Sequence, residues 1–335
     1  MRLAALLLAS LVTVSFGAWG AIALWFQAPG GSAGRWAAAL LWGLLAAVAV
    51  VCLWRGPALW AAAGFALLCA ALLWWWHGLE PSNSRAWADD VARTATGEVQ
   101  GDTLVLDGVR NFDWRSNEDY TARWERHSYD LRELRSLDMI TSYWEGPAIA
   151  HVLFSFGFTD GRYLCFSVEI RRERGEQFNE IGGFFKEFEL SIIAAEERDI
   201  IRVRTNVRGE DDYLYHVRLP LADIRALLLA YVQQMNELAH APRFYNTITV
   251  NCTTLVYHMM QHIVGRLPFS YQVLLPGYLP EYVYRVGGLD QRYPLAELRR
   301  LGRITARARA ADRSAGFSQE IRAGIPPLPP EDPAH

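Results

Sequence analysis

The chain has 335 residues, with 33 basic and 36 acidic side chains and a net charge of −3; this is too long for a mini-domain and short for more than about three domains. Acidic and basic residues interleave throughout the charged part, so there is no basic stripe of the kind phosphate contacts require, and nucleic acid is not an expected partner. Up to Gly78 only Arg2, Arg35 and Arg55 carry charge, which divides the chain into a membrane-embedded front and a soluble back.

Three apolar runs, 3–26, 36–54 and 57–76, each reach the roughly 20 residues needed to cross a bilayer. Trp54, Trp74, Trp75 and Trp76 cluster at their ends, where interfacial anchors belong. The first run is too long for a signal peptide and lacks a small-x-small cleavage site, so it reads as an uncleaved anchor. Arg2 and Arg55 against Arg35 orient the N-terminus toward the cytoplasm. Three crossings then place the soluble part in the periplasm of a bacterial inner-membrane, multi-pass protein. The expected domains are an anchor over 1–78, a periplasmic domain over 79–320 and a disordered Pro-rich tail over 321–335.

In the soluble part, 104–106 and 109–112 read as short strands around an Asp107-Gly108 turn. The clearest hairpin joins 151–158 to 162–171 through Thr159-Asp160-Gly161, a turn signal between two β-rich runs. Further strands are expected at 188–194, 200–205 and 213–217. Pro220 opens a helix over 221–238, with Ile224, Leu227, Leu228 and Tyr231 on one face. A second helix starts near Cys252 with Asn251 as its N-cap and stops at Gly265.

Cys52 and Cys69 fall in the apolar runs, which leaves Cys165 and Cys252. A disulfide between them is disfavoured, because one lies mid-strand and the other opens a helix. In the first turn of a helix, unpaired N–H groups and the positive end of the dipole favour a thiolate. The same N–H groups suit the oxyanion of a tetrahedral intermediate, and Asn251 and Thr253 flank the cysteine as oxyanion or positioning residues. A nucleophilic cysteine needs a base and a group to orient that base. His151 and Glu169 face each other if the hairpin turn carries a bulged residue; with a plain two-residue turn Ile170 takes that place. His258 and His262 stand four apart on one helix, but Met259, Met260 and Gln261 between them supply no metalloprotease glutamate. No metal or cofactor is expected. Glu196, Glu197 and Asp199 read as ion partners of Arg198, Arg202 and Arg204.

His151-Val-Leu-Phe-Ser-Phe, Ser167-Val-Glu-Ile-Arg171, Glu197-Arg198-Asp199, Arg204-Thr205-Asn206, Tyr213-Leu-Tyr215, Phe244-Tyr-Asn246 and Asn251-Cys-Thr-Thr254 together resemble the Lnb N-terminal periplasmic domain family. Val109-Arg-Asn-Phe112 upstream and Leu275-Pro-Gly-Tyr278 downstream extend the likeness over nearly all of the soluble part. The resemblance implies an α+β fold, with a bundle of three transmembrane helices followed by a circularly permuted papain-like (NlpC/P60-type) thiol-enzyme domain. It maps the family's catalytic cysteine and histidine to Cys252 and His151, with Glu169 chosen as the orienting residue. The family's namesake resembles a lipoprotein N-acyltransferase, but it carries its membrane helices after the soluble domain, whereas here three precede it.

Three function classes fit these residues. The first is a thiol enzyme that forms an acyl-cysteine intermediate and transfers the acyl group on lipoproteins or lipids. The second is a thiol amidase or peptidase acting on envelope peptides, and the third a non-catalytic membrane-anchored binding module. The expected partners are inner-membrane lipid and a lipoprotein or envelope peptide substrate.

Overall fold

The computed structural model describes residues 2–329, which form two compact units: 2–82 with 178–189, and 83–177 with 190–329. In the first unit, α1 (Arg2–Gln27), α2 (Gly31–Arg55) and α3 (Ala58–His77) are each long and apolar enough to cross a membrane. At 1.5 Å per residue, even the shortest spans roughly 30 Å, the thickness of a hydrocarbon core. The helices meet through small residues: a Cβ on Gly17 would lie 2.7 Å from the Ala46 Cβ, and one on Gly20 would strike the Trp42 indole. Such stripes let helices pack closely where lipid removes the hydrophobic drive between them. Leu3, Leu8, Leu40, Leu59 and Leu67 point outward.

The second unit is built on an eight-stranded sheet. Its strands are β1 (Thr96–Gln100), β2 (Thr103–Arg110), β5 (Trp124–Asp130), β6 (Leu134–Glu145), β7 (Ile149–Phe158), β8 (Tyr163–Arg171), β9 (Glu189–Ala195) and β10 (Asp211–His216). They run in the order β1-β2-β9-β8-β7-β6-β10, with β5 on β2, while β3 (Asp113–Trp114) and β4 (Tyr120–Thr121) make a separate ladder. Successive strand residues face opposite ways, and both faces of the sheet are buried. Val152, Phe154, Phe156 and Phe158 pack with α5 (Leu221–His240), whose Ile224, Leu227, Leu228 and Tyr231 line one stripe. Phe166 stacks on Tyr231 at 4.7 Å. On the reverse face, Ile140, Leu153, Cys165 and Leu214 meet Ile200 and Ile201 of α4 (Glu197–Arg202) and Ala308 of α10 (Thr305–Ala311). The remaining helices are α6 (Thr254–Val264), α7 (Tyr271–Leu274), α8 (Leu279–Arg285), α9 (Leu295–Gly302) and α11 (Phe317–Glu320).

Three local expectations are corrected. Asp107-Gly108 is not a turn: β2 runs through it, and the register against β5 slips between Asp107 and Val109. Gly108, at φ +80°, is therefore a bulge residue, a position that favours glycine. Residues 200–205 are helical rather than extended, because α4 runs on into a π turn over Val203–Arg208. Glu197, Ile200, Ile201 and Arg204 are buried there, at the i, i+3, i+4, i+7 spacing of a helix face. The tail expected from residue 321 begins packed: Ile321 is fully buried and Arg322 donates to Asp138 and Glu197, while Ala323, Gly324 and Pro327 are exposed. Residues 330–335 of that expected tail lie outside the described residues.

Candidate active site

The β7–β8 hairpin fixes the first half of the site. Its turn is the three-residue loop Thr159-Asp160-Gly161, closed by Phe158 N–H donating to Arg162 O at 3.0 Å, with Gly161 at φ +86°. This is the bulged alternative. The register pairs Leu153 with Ser167, and two residues further along His151 stands opposite Glu169, at the open end of the hairpin.

His151 Nε2 lies 2.6 Å from Ser167 Oγ and 3.2 Å from Glu169 Oε1. The Ser167 hydroxyl donates its hydrogen to Glu169 Oε1 at 2.6 Å, so at the imidazole the serine oxygen must accept. A hydrogen therefore sits on Nε2. Glu169 also accepts from Arg204 Nη2 at 3.0 Å, and Arg204 Nη1 donates to Glu210 at 3.1 Å. Burial opposes the imidazolium, yet the Glu169 carboxylate, helped by a hydrogen-bonding interaction with Cys252, outweighs it and raises His151 to about 9. Burial likewise opposes the Glu169 charge, but His151, Arg204 and Ser167 hold that carboxyl well below the usual range.

Behind this pair, Ser142 stands opposite His151 on β6. Its hydroxyl meets both Glu210 and, at 2.5 Å, Asp212. One hydroxyl hydrogen cannot serve two carboxylates, so the cluster holds an extra proton. Asp212 is the group that carries it: burial and the Glu210 charge push it up to about 7.

Cys252, 6% exposed, enters at the start of α6. The Asn251 Oδ1 accepts the N–H groups of Thr253 and Thr254, each at 2.9 Å, and Asn251 Nδ2 donates to Thr247 O at 2.6 Å. The Asn251 carbonyl accepts the Leu255 N–H, so Asn251 closes the turn 251–253 that leads into the helix, whose N-cap position is Thr253 rather than the expected Asn251. The Thr253 hydroxyl donates to Val273 O at 2.6 Å. Asn251 and Thr253 thus brace the turn that carries the cysteine, and the Thr253 N–H is bonded to Asn251 Oδ1. The Cys252 N–H donates to no acceptor among the described residues. Cys252 lies within interaction range of His151, where its hydrogen-bonding contribution raises the imidazole.

Cys252, His151 and Glu169 thus lie together, and Cys165 and Cys252 are both free thiols. The ion partners differ from those expected. Glu197 pairs with Arg322, Asp199 with Arg110, Arg202 with Asp312 and Arg204 with Glu169 and Glu210, because a helix fans out side chains that a strand would align. Ser167 and the role of Arg204 were missed, although Ser167 sits two before Glu169 and so shares its face of β8. Tyr245 was missed as well: burial, then its neighbours Cys252 and Glu169, push its hydroxyl far above the ordinary range. No group of three or more metal-binding side chains is arranged to hold an ion among the described residues.

With the thiol, the imidazole and the carboxylate in one place, the family comparison can be weighed. Residues 120–277 match the Lnb N-terminal periplasmic domain. The matched region contains Cys252, His151, Glu169 and Arg204, and it is shorter than the likeness read from the sequence, since 109–112 fall outside it. No curated protein and no solved structure matches the chain. A domain matching a periplasmic family therefore follows three helices long and apolar enough to cross a membrane.

Proposed function

We propose that the protein is a membrane-anchored periplasmic thiol enzyme of permuted papain-like order, in which the histidine strand precedes the cysteine helix, and that it passes an acyl group through a Cys252 thioester. The observation that carries this reading is the convergence of Cys252, His151 and Glu169. His151 takes the thiol proton on Nδ1, while Nε2–H stays on Ser167 and Glu169. The sulfur attacks the acyl carbonyl and forms the S–C bond, and the Cys252 N–H, unspent in the cap, stabilises the oxyanion. As the bond to the leaving group breaks, the imidazolium returns its proton to that group. An amine acceptor then attacks the thioester, His151 takes the amine's proton, and the S–C bond breaks to restore the thiol.

A cavity of about 230 Å³ lies along the same helix, lined by Thr253, Val256, Tyr257 and Met260 with Leu137 and Phe154 of the sheet. Its apolar walls suit a hydrocarbon chain better than a peptide, which favours acyl transfer over peptide hydrolysis.

The test is peptide mass spectrometry of the protein purified from bacterial envelopes. An acyl mass on Cys252, absent from His151→Ala, is the expected result. A peptidyl adduct instead would turn the reading to an amidase, and a clean thiol with undiminished envelope function in Cys252→Ala would leave only a binding module.

A further inference from the structure

The connection between β8 and β9 packs on the helical bundle. Phe185 stacks on Phe26, at the end of α1, with centroids 5.8 Å apart and planes at 16°. It also meets Trp76, at the end of α3, edge-on at 6.3 Å. The Gln27 side chain donates to the carbonyls of Phe185 at 3.0 Å and Lys186 at 2.7 Å. Lys186 Nζ in turn donates to Trp76 O at 2.7 Å and lies 5.0 Å over the Trp76 ring, filling one of the carbonyl positions a helix end leaves open. Lys186 is the chain's single lysine, and it sits in the left-handed region at φ 57°, a conformation that a non-glycine residue keeps when its surroundings hold it.

These contacts set the depth of the segment. The C-terminal ends of α1 and α3 meet on the same aromatic ring, so both emerge at one level, and Phe185 marks that level. The preceding turn is fixed by Asn179, whose Oδ1 accepts from Ile181 N at 2.9 Å and Gly182 N at 3.2 Å. From it Ile181 and Phe184 are turned outward, 56% and 41% exposed, and Trp74 in the last turn of α3 is 82% exposed. Single exposed apolar side chains also occur elsewhere, Val99 among them; what distinguishes Ile181 and Phe184 is that they stand beside the ring on which the ends of two membrane-length helices meet. Large apolar and aromatic side chains at that depth are what the headgroup–acyl boundary selects.

We propose that residues 178–185 are an interfacial anchor, with Ile181 and Phe184 inserted into the headgroup–acyl boundary of the bilayer that α1, α2 and α3 cross. The occupant is lipid rather than a protein partner, because Gln27, Trp76 and Lys186 pin the segment to the ends of helices whose outer surfaces carry Leu3, Leu8, Leu40 and Leu59 in the open. The anchor gives the bundle a fourth attachment to the membrane surface, independent of the chemistry at Cys252.

The test uses the full-length protein in phosphatidylcholine nanodiscs, with Ile181→Cys and Phe184→Cys each labelled by an environment-sensitive fluorophore and corrected for unmutated protein labelled alike. Val99→Cys, on an exposed β1 side chain, is the water-facing control. The expected result is blue-shifted emission at 181 and 184, loss of most signal to phosphatidylcholine carrying a quencher just below the headgroup, and resistance to iodide, with position 99 behaving oppositely. Iodide quenching at 181 and 184 equal to that at 99 would overturn the proposal, as would a blue shift that appears only when envelope proteins are added.

Discussion

One face of the sheet carries two histidine–carboxylate pairs, and one of them has a thiol, Cys252, beside it. His216 and Asp138 stand opposite each other on β10 and β6, with His216 Nδ1 2.5 Å from Asp138. Arg322 closes the second Asp138 oxygen at 2.7 Å, joins Glu197 at 2.6 Å and lies over the Tyr163 ring at 3.5 Å. The Ser155 hydroxyl donates to Glu197 at 2.5 Å. Every partner there is a hydrogen-bonding or ionic one, and the cluster ties the C-terminal segment to the sheet. At His151 the carboxylate side is just as closed, by Ser167 and Glu169, but a thiol, Cys252, also interacts with the ring. A histidine–carboxylate pair is by itself a well-satisfied feature of a sheet, and under the proposed function it is the neighbouring thiol that distinguishes His151.

The largest effect that sharpens this contrast is loss of the thiol or its base. Cys252→Ala and Cys252→Ser should both abolish acyl-adduct formation, the latter because a hydroxyl ionises far less readily. His151→Ala should slow it by about 10²- to 10⁴-fold, while His216→Ala leaves the rate per folded molecule unchanged. Adduct mass spectrometry on the three variants separates the pairs.

Next in size is a stability effect confined to the other pair. Arg322→Ala strands the buried Asp138 and Glu197 and should cost about 3–5 kcal/mol. Thermal unfolding in detergent should show it, and Cys252 should keep its reactivity below the new midpoint. A variant that loses reactivity while still folded would break the separation between the pairs.

Glu169→Gln removes the charge that holds His151 at about 9, so the alkaline limb of the reaction should move down toward the ordinary imidazole value near ~6.5. The same shift has a stability sign. His151 binds its proton more tightly folded than unfolded, so its contribution is present below ~6.5 and is lost as pH rises through about 9. The unfolding free energy measured from pH 6 to 10 should decline in the parent protein and flatten in Glu169→Gln.

The smallest effect lies behind the site. Asp212, raised to about 7, binds a proton in the folded state that the unfolded chain releases near ~4, so stability should fall as pH rises between these values. Asp212→Asn removes that slope. A variant that keeps it would place the extra proton on Glu210.

Much of this arrangement was legible in the sequence, for reasons that differ by element. Cys252 was found because an asparagine before a cysteine at a helix entry is a local signal, although Asn251 bonds the turn before α6 and Thr253 takes the N-cap position. His151 and Glu169 were found as a conditional pair, since an Asp-Gly turn announces a hairpin but not its register; Gly161 in the left-handed region is what decides it. Residues 200–205 were misread because β-branched Ile200, Ile201 and Val203 favour strands, while the buried spacing that runs from Glu197 to Arg204 is helical. That error hid Arg204, which reaches Glu169 only from a helix lying over the sheet. Arg322 was hidden for another reason: its partners are more than a hundred residues away, and no local pattern reports such a contact.

The central claim is that His151 and Glu169, and not the equally well-made His216–Asp138 pair, set the reactivity of Cys252. The most direct measurement is the rate of Cys252 alkylation at pH 6 in the parent protein, His151→Ala and His216→Ala, with Cys165 as the internal reference. Cys165 is buried, which pushes its thiol well above the ordinary range. The account predicts that Cys252 reacts much faster than Cys165, that His151→Ala removes the difference by about 10²-fold or more, and that His216→Ala leaves it intact. Equal rates in the parent protein and His151→Ala would contradict it.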